Sequence, residues 1–231
     1  MKKLIKTVII KTLPVMTGYI ALGIGFGILF ESKGYGLLWS LAMAVLIYAG
    51  SMQYVAINLI TGGASLIVTA LTTLMVNARH LFYGISMIDK YKDVGKTKPY
   101  LIFALTDETY SLLCGDDYPE AVDRRKYQIA VSLFNHIYWI SGCALGSIIG
   151  SAINFDTAGI DFCMTALFVT IFLEQWLSTK EHKPALIGLL ASTLCLVIFG
   201  KDAFLIPSML LISVLLLIFR KSLERKVQSD E

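Results

Sequence analysis

The 231-residue sequence contains no GxxxxGK[ST] phosphate loop, so nothing in it marks a chain that hydrolyses nucleotide by itself. It has no HExxH, no GxSxG and no second histidine paired along a helix, which argues against an intramembrane hydrolase. Its four cysteines (Cys114, Cys143, Cys163 and Cys195) form no CxxC pair and no Cys/His cluster at metal spacing. They fall inside or at the ends of apolar segments and read as small packing residues. No metal site and no cofactor is therefore expected. Charge is scarce as well. Only 16% of the residues are Asp, Glu, Lys or Arg, where a soluble domain carries about a quarter. A net charge of +3 spread so thinly is no signature of a nucleic-acid partner.

What fills the space is hydrocarbon: 56% of the chain is hydrophobic, and the mean hydropathy is +0.69. Long apolar runs alternate with short polar ones, the pattern of a polytopic helical membrane protein. Eight apolar segments are visible: Leu13–Phe30, Leu37–Ile60, Ala64–Ile88, Tyr100–Cys114, Tyr127–Gly150, Asp161–Trp176, Pro184–Gly200 and Phe204–Phe219. A full crossing needs about 20 residues. Tyr100–Cys114 is shorter and carries Asp107 and Glu108 at its centre, so it reads as a re-entrant or broken helix, which must be covered by protein or water. The start, "MKKLIKTVIIK", resembles a signal peptide, but Lys6 and Lys11 interrupt its apolar core; it is expected to stay as a basic lead-in lying at the interface.

The two halves echo one another. "ALGIGFG" (Ala21–Gly27) and "ALGSIIG" (Ala144–Gly150) share a pattern, and "SMQY" and "LEQW" follow at nearly the same distance. An internal repeat is expected. The GxxxG spacing within these motifs is primarily a helix-packing signal, and Gly142, Gly146 and Gly150 offer a face that would accept another helix. The expected architecture is an all-α polytopic membrane protein with about seven or eight transmembrane or re-entrant helices, an internal repeat and broken helices near the midplane. Residues 1–231 form one transporter domain: a lead-in over 1–12, halves over 13–114 and 127–219, and a tail over 220–231.

Orientation is clear for the second half only. "RRK" (Arg124–Lys126), "KEHK" (Lys180–Lys183) and the tail are basic, and the stretches around Asn154 and Asp202 are not, which puts the C-terminus in the cytoplasm. In the first half, Lys2, Lys3, Lys6 and Lys11 and the group Lys90, Lys92, Lys96 and Lys98 both ask to be inside, with three apolar segments between them. If Tyr100–Cys114 fails to cross and those three do cross, the repeats are inverted and the N-terminus is outside. If all eight cross, the repeats are parallel and both termini are inside.

Four polar patches interrupt the apolar segments. In "YAGSMQY", Gly50 and Ser51 can loosen a helix, and Gln53, Tyr54 and Asn58 follow; exposed backbone there could hold a zwitterion. In "VNARHLFYG", Arg79 shares a helical face with Tyr83 and His80 shares one with Gly84, and Asn77 adds an amide. An ion in hydrocarbon costs roughly 2.5–3.5 kcal/mol at a helix centre, so Arg79 calls for a partner, water or a ligand. "LTDETY" supplies Asp107 and Glu108 between Thr106 and Thr109. A structural ion pair of Arg79 with one of these acids competes with a functional reading, but one carboxylate would be left over. "NHIYW" with "EQW" brings His136 and Glu174, which read first as a packed histidine and a snorkelling surface carboxylate.

"GYIALGIGFGILF", "YAGSMQY", "NARHLFYG", "LTDETY" and "GIDFCMTALF", in this order and spacing, resemble the AzlC-type branched-chain amino acid permeases. The resemblance covers roughly Pro14 to Phe219. It implies the large subunit of a two-component bacterial exporter of leucine, isoleucine, valine and analogues, in the cell membrane, beside a very small membrane protein of the AzlD type. From the residues themselves, Arg79 suits a substrate carboxylate through its forked donors, with Asn77, Tyr83, Gln53, Gly50 and Ser51 as further substrate-binding candidates. Asp107, Glu108 and His80 are candidates for the substrate ammonium or for proton coupling. Competing classes are an importer or exporter of another metabolite, a non-transporting scaffold or sensor, and an enzyme built on His80, Asp107 and Glu108.

Overall fold

The computed structural model describes residues 2–115, 123–153, 161–178, 182–200 and 204–227, all helical or connecting, with no strand among them. The expectations for Asn154, Lys180, Asp202, the end of the tail and the side chains of Cys163 and Glu174 lie outside the described residues. Among the described residues eleven α-helices follow in order: α1 (Lys2–Ser32), α2 (Leu37–Leu46), α3 (Gly50–Thr61), α4 (Leu66–Val76), α5 (Arg79–Met87), α6 (Lys98–Phe103), α7 (Asp107–Leu113), α8 (Arg124–Ala152), α9 (Asp161–Ser178), α10 (Lys183–Phe199) and α11 (Leu205–Val227). Two of them, α1 and α8, are long and apolar enough by themselves to cross a bilayer; α4 and α5, bent by 51° at their break, make a third candidate as a pair. The chain divides into two compact units, one of residues 1–69 and 76–167, the other of residues 70–75 and 168–231.

The first unit is built on α1 and α8, which pack along their length. Small residues make this possible. A Cβ on Gly146 would lie 2.2 Å from the Ile24 carbonyl oxygen, and one on Gly27 would lie 2.3 Å from that of Cys143. Gly142 meets Tyr19, Ile20 and Gly23, and Gly150 meets Ile28 and Glu31. The glycine face that was expected to accept another helix is thus already filled by α1. Contacts advance together along both helices, from Thr12 with Tyr138 to Glu31 with Ser147, so α1 and α8 run in the same direction. "ALGIGFG" packs side by side with "ALGSIIG". Copies related by an inverted repeat would run opposite ways here.

The segment 37–60 is not one helix. α2 runs down α8, with Ser40 Oγ donating to Cys143 O and Ala44 O bonded by His136 Nε2. The chain then turns at Tyr48, whose φ of 44° is left-handed, a strained setting for a bulky residue. α3 runs back up: Gly50 and Gln53 lie against Trp139, and Tyr54 reaches Leu22 and Phe26. The segment 100–114 makes a second hairpin from the other end. Pro99 opens α6 without losing a needed N–H, and Thr106 caps α7 by accepting the Thr109 N–H at 3.3 Å. Phe103 reaches His136, Thr106 reaches Tyr19, and Leu113 is back in the cluster of Val8, Met87, Tyr91, Leu101, Tyr127 and Val131. Neither sequence-based topology holds in full: two segments, 37–60 and 100–114, return to the end from which they came. In the second unit α10 packs against α11, and the rings of Trp176 and His182 stack at 4.0 Å.

Candidate functional site

Three helix breaks converge about halfway along α8. The hairpin tips at Ile47–Ala49 and Ala104–Thr106 face one another, with the Tyr48 and Phe103 rings 6.2 Å apart. The third break, Asn77–Ala78, sets Arg79 at the start of α5. Its guanidinium spans the other two: Nη1 lies 2.8 Å from Asp107 Oδ2 at the start of α7, and Nη2 donates to Ser51 Oγ at 3.0 Å at the start of α3. About a quarter of the Arg79 side chain and a third of that of Asp107 remain open (26% and 31%). Arg79 Nε and Asp107 Oδ1 are buried and carry no hydrogen bond. The pair therefore keeps one free donor and one free acceptor, which a purely structural pair would be expected to close.

Glu108 is not a second partner of Arg79. Tyr19 OH donates to Glu108 Oε2 at 2.6 Å, and the same hydroxyl lies 2.6 Å from Thr106 Oγ1. Thr106 Oγ1 donates to Thr109 Oγ1 at 3.1 Å, which also receives Asn135 Nδ2 at 3.0 Å. The neighbouring acids thus go to different elements, because successive residues on a helix point about 100° apart. Both stand in the first turn of α7, where the helix dipole favours negative charge.

The remaining candidates are distributed around this centre. Gln53 is fully buried; its Oε1 accepts Trp139 Nε1–H at 2.9 Å, which leaves Nε2 without a partner. Gly50 lies flat against the Trp139 ring, 3.0 Å from where its Cβ would be. Asn77 Oδ1 is buried and unpaired. Tyr83 stacks on Tyr110 at 4.5 Å. His80 bonds Asn77 O through Nδ1 at 3.2 Å and makes no described hydrogen bond to either acid. His136 stacks on Tyr48 at 4.1 Å; since a carbonyl only accepts, its Nε2 must carry the proton given to Ala44 O, leaving Nδ1 for the Tyr100 hydroxyl at 3.4 Å. That bond satisfies one of the carbonyls exposed where α2 ends. Among the described residues no three His, Cys, Asp or Glu side chains converge as metal ligands.

Sequence reasoning did not single out Tyr19, Tyr48, Thr109, Asn135 or Trp139 as parts of one centre. Tyr48, Thr109, Asn135 and Trp139 sit within the quoted polar patches, but Tyr19 lies in an apolar helix with only its hydroxyl as a signal. Its role depends on α1 lying beside α7, which no local pattern reports.

Long apolar helices, two hairpins that turn back, and a partly open ion pair where three breaks meet define a helical membrane protein with a polar centre of the kind transporters carry. The comparisons make this specific. A family model described as AzlC protein matches residues 14–153. The branched-chain amino acid transport protein AzlC of Bacillus subtilis is 46% identical over 214 residues, covering 93% of this chain and 84% of that protein. An uncharacterized membrane protein of Haemophilus influenzae is 42% identical, covering 94% and 90%, and the inner membrane protein YgaZ of Escherichia coli is 26% identical, covering 88% and 83%. No solved structure matches. The chain belongs to the AzlC family of branched-chain amino acid transport membrane proteins.

Proposed function

We propose that this chain is the large subunit of a bacterial exporter of branched-chain amino acids, working with a small membrane protein of the AzlD type and driven by an ion or proton gradient. The observation that carries the reading is the Arg79–Asp107 pair with its unused Nε and Oδ1. A zwitterion inserts into such a pair without net charge. Its carboxylate takes the planar fork of Arg79 beside Ser51, with the unpaired Gln53 Nε2 as a further donor, and its ammonium takes Asp107, with the unpaired Asn77 Oδ1 as a further acceptor. Branched aliphatic side chains suit apolar surroundings, and the name of the Bacillus relative supports that substrate class. Export and the small partner rest on the family resemblance.

The reading includes one transporter domain over 1–231, in the plasma membrane. The basic groups at Lys3–Lys11, Lys90–Lys98 and Arg124–Lys126 belong to one end of the first unit, where Gln128 Nε2 donates to Lys90 O and Gly95 lies against Arg125. Three cations in the first turn of α8 oppose its dipole, so membrane sidedness is the better reason for them. That end is cytoplasmic in this proposal. α1, the α4–α5 pair and α8 cross, the two hairpins re-enter, and crossings by α9, α10 and α11 bring the C-terminus back to the cytoplasm.

Counterflow of labelled leucine, isoleucine, valine and unrelated metabolites in vesicles, with and without the small partner, tests the function. Exchange restricted to the branched-chain set supports it. Exchange of an unrelated metabolite alone, or none with the partner present, rejects it.

A further inference from the structure

Glu108 has a setting that the substrate-binding pair does not explain. Asp107 faces a permanent cation; protonating it would leave the Arg79 guanidinium without its counter-ion. Glu108 faces hydroxyls instead. When it is ionised, Tyr19 O–H donates to Oε2, and Thr106 O–H donates to the Tyr19 oxygen 2.6 Å away. When it is protonated, its own O–H can donate to the Tyr19 oxygen across the same 2.6 Å, and Tyr19 O–H turns to Thr106 Oγ1, also 2.6 Å away. Thr106 O–H is then released to Thr109 Oγ1, 3.1 Å away. Rotation of the Tyr19 and Thr106 hydroxyls thus gives the carboxyl a partner in both protonation states and keeps a hydrogen in each short O···O contact.

The groups facing Glu108 from each packed element fit this role. They are Tyr19 on α1, Tyr48 between α2 and α3, Tyr83 on α5 and Asp107 beside it on α7, with Arg79 behind Asp107. Asn135 on α8 joins through Thr109, and His136 lies beyond Tyr48. None of the direct neighbours is a cation, so none ties Glu108 to its ionised form.

We propose that Glu108 is the proton-coupling residue of this transporter and that Tyr19 is the hydroxyl relay that reports its protonation to the tips of the two hairpins. This deepens, and rests on, the transport reading above. The proton enters from water, adds to a Glu108 carboxylate oxygen and leaves by the reverse step; no bond between heavy atoms changes. The relay passes through both hairpin tips because Tyr19 bonds Thr106 and packs edge-on against Tyr48 at 6.4 Å. A change in charge at Glu108 therefore acts where the segments that hold the substrate site are broken.

The test uses the full chain reconstituted with its small partner, with labelled leucine as the probe. A pH gradient of one unit supports at most about tenfold accumulation with one proton per substrate. Glu108→Gln should bring this to no accumulation, while leucine exchange without a gradient falls far less. Tyr19→Phe removes the donor to the carboxylate, so the pH midpoint of exchange should move upward. Gradient-driven accumulation that survives in E108Q, or a midpoint unmoved in Y19F, overturns the proposal. An infrared pH titration of the purified chain decides the relay independently of transport. The protonated-carboxyl signal should vanish in E108Q, and its persistence there rejects the assignment. If the wild type exchanges no leucine with the partner present, the transport reading fails, and the infrared result still decides whether Glu108 titrates.

Discussion

Replacing Gly146 by alanine tests the packing on which the site depends. The added methyl would lie 2.2 Å from the Ile24 carbonyl oxygen, where ordinary contact begins at 3.4 Å. The obstacle is main chain of α1, which cannot rotate aside, so α1 and α8 must separate locally by about 1.2 Å, the difference between those distances. Overpacking of this kind costs about 1–3 kcal/mol. For a chain of this size each kcal/mol moves the melting temperature by about 2–4 °C. Gly84, in the middle of α5, is the control: a Cβ there meets nothing within 4 Å. Alanine should instead stabilise that helix by roughly 0.5–1 kcal/mol. Gly27→Ala meets Cys143 O at 2.3 Å and should behave like Gly146→Ala. The double variant G27A/G146A should cost less than the sum, because helices already parted for one methyl admit the other. Melting of the purified protein in detergent, followed by intrinsic fluorescence, reads all four variants. If G146A melts at or above the wild-type temperature, or if the double variant is additive, α1 and α8 do not meet through their glycines and the register described above is wrong.

Arg79→Lys keeps the charge but loses the fork, so leucine affinity should fall at least about tenfold while the protein still folds, measured by counterflow and melting together. Arg79→Ala strands Asp107; at 31% exposure the loss should lie between the surface and buried limits, about 1–3 kcal/mol, and the double variant R79L/D107L should recover that stability but not transport. Recovery of both would make the pair structural. Trp139→Phe removes the donor to the fully buried Gln53 Oε1 and should cost about 1–3 kcal/mol in a melting assay. On the two-component reading the chain alone should transport weakly, and full, specific activity of the purified single chain would reject that reading.

The sequence by itself was enough for the class of the molecule and for two of the three places where its helices fail. Alternation of apolar runs with sparse charge marks a helical membrane protein, because twenty apolar residues in a row have few other uses. Gly50–Ser51 marks one break through residues that loosen a helix, and the shortness and paired acids of 100–114 mark a second, whereas 64–88 reads as one unbroken span and its break at Asn77–Ala78 came only from the structure. The ordered motifs were enough for the family. The sequence could not say which acid meets Arg79, since Asp107 and Glu108 are adjacent and only the azimuth of α7 against α1 and α5 separates them. Nor could it say that residues 37–60 turn back, because a hairpin and a bent span have the same composition. That depends on Tyr48 holding a left-handed backbone against His136, and His136 is 88 residues away on α8. The partner of the glycine face was also hidden: GxxxG says that a helix will come close, and the tertiary packing decided that it is α1, running parallel to α8, because only a second stripe of glycines, Gly23 and Gly27, lets two backbones approach so far.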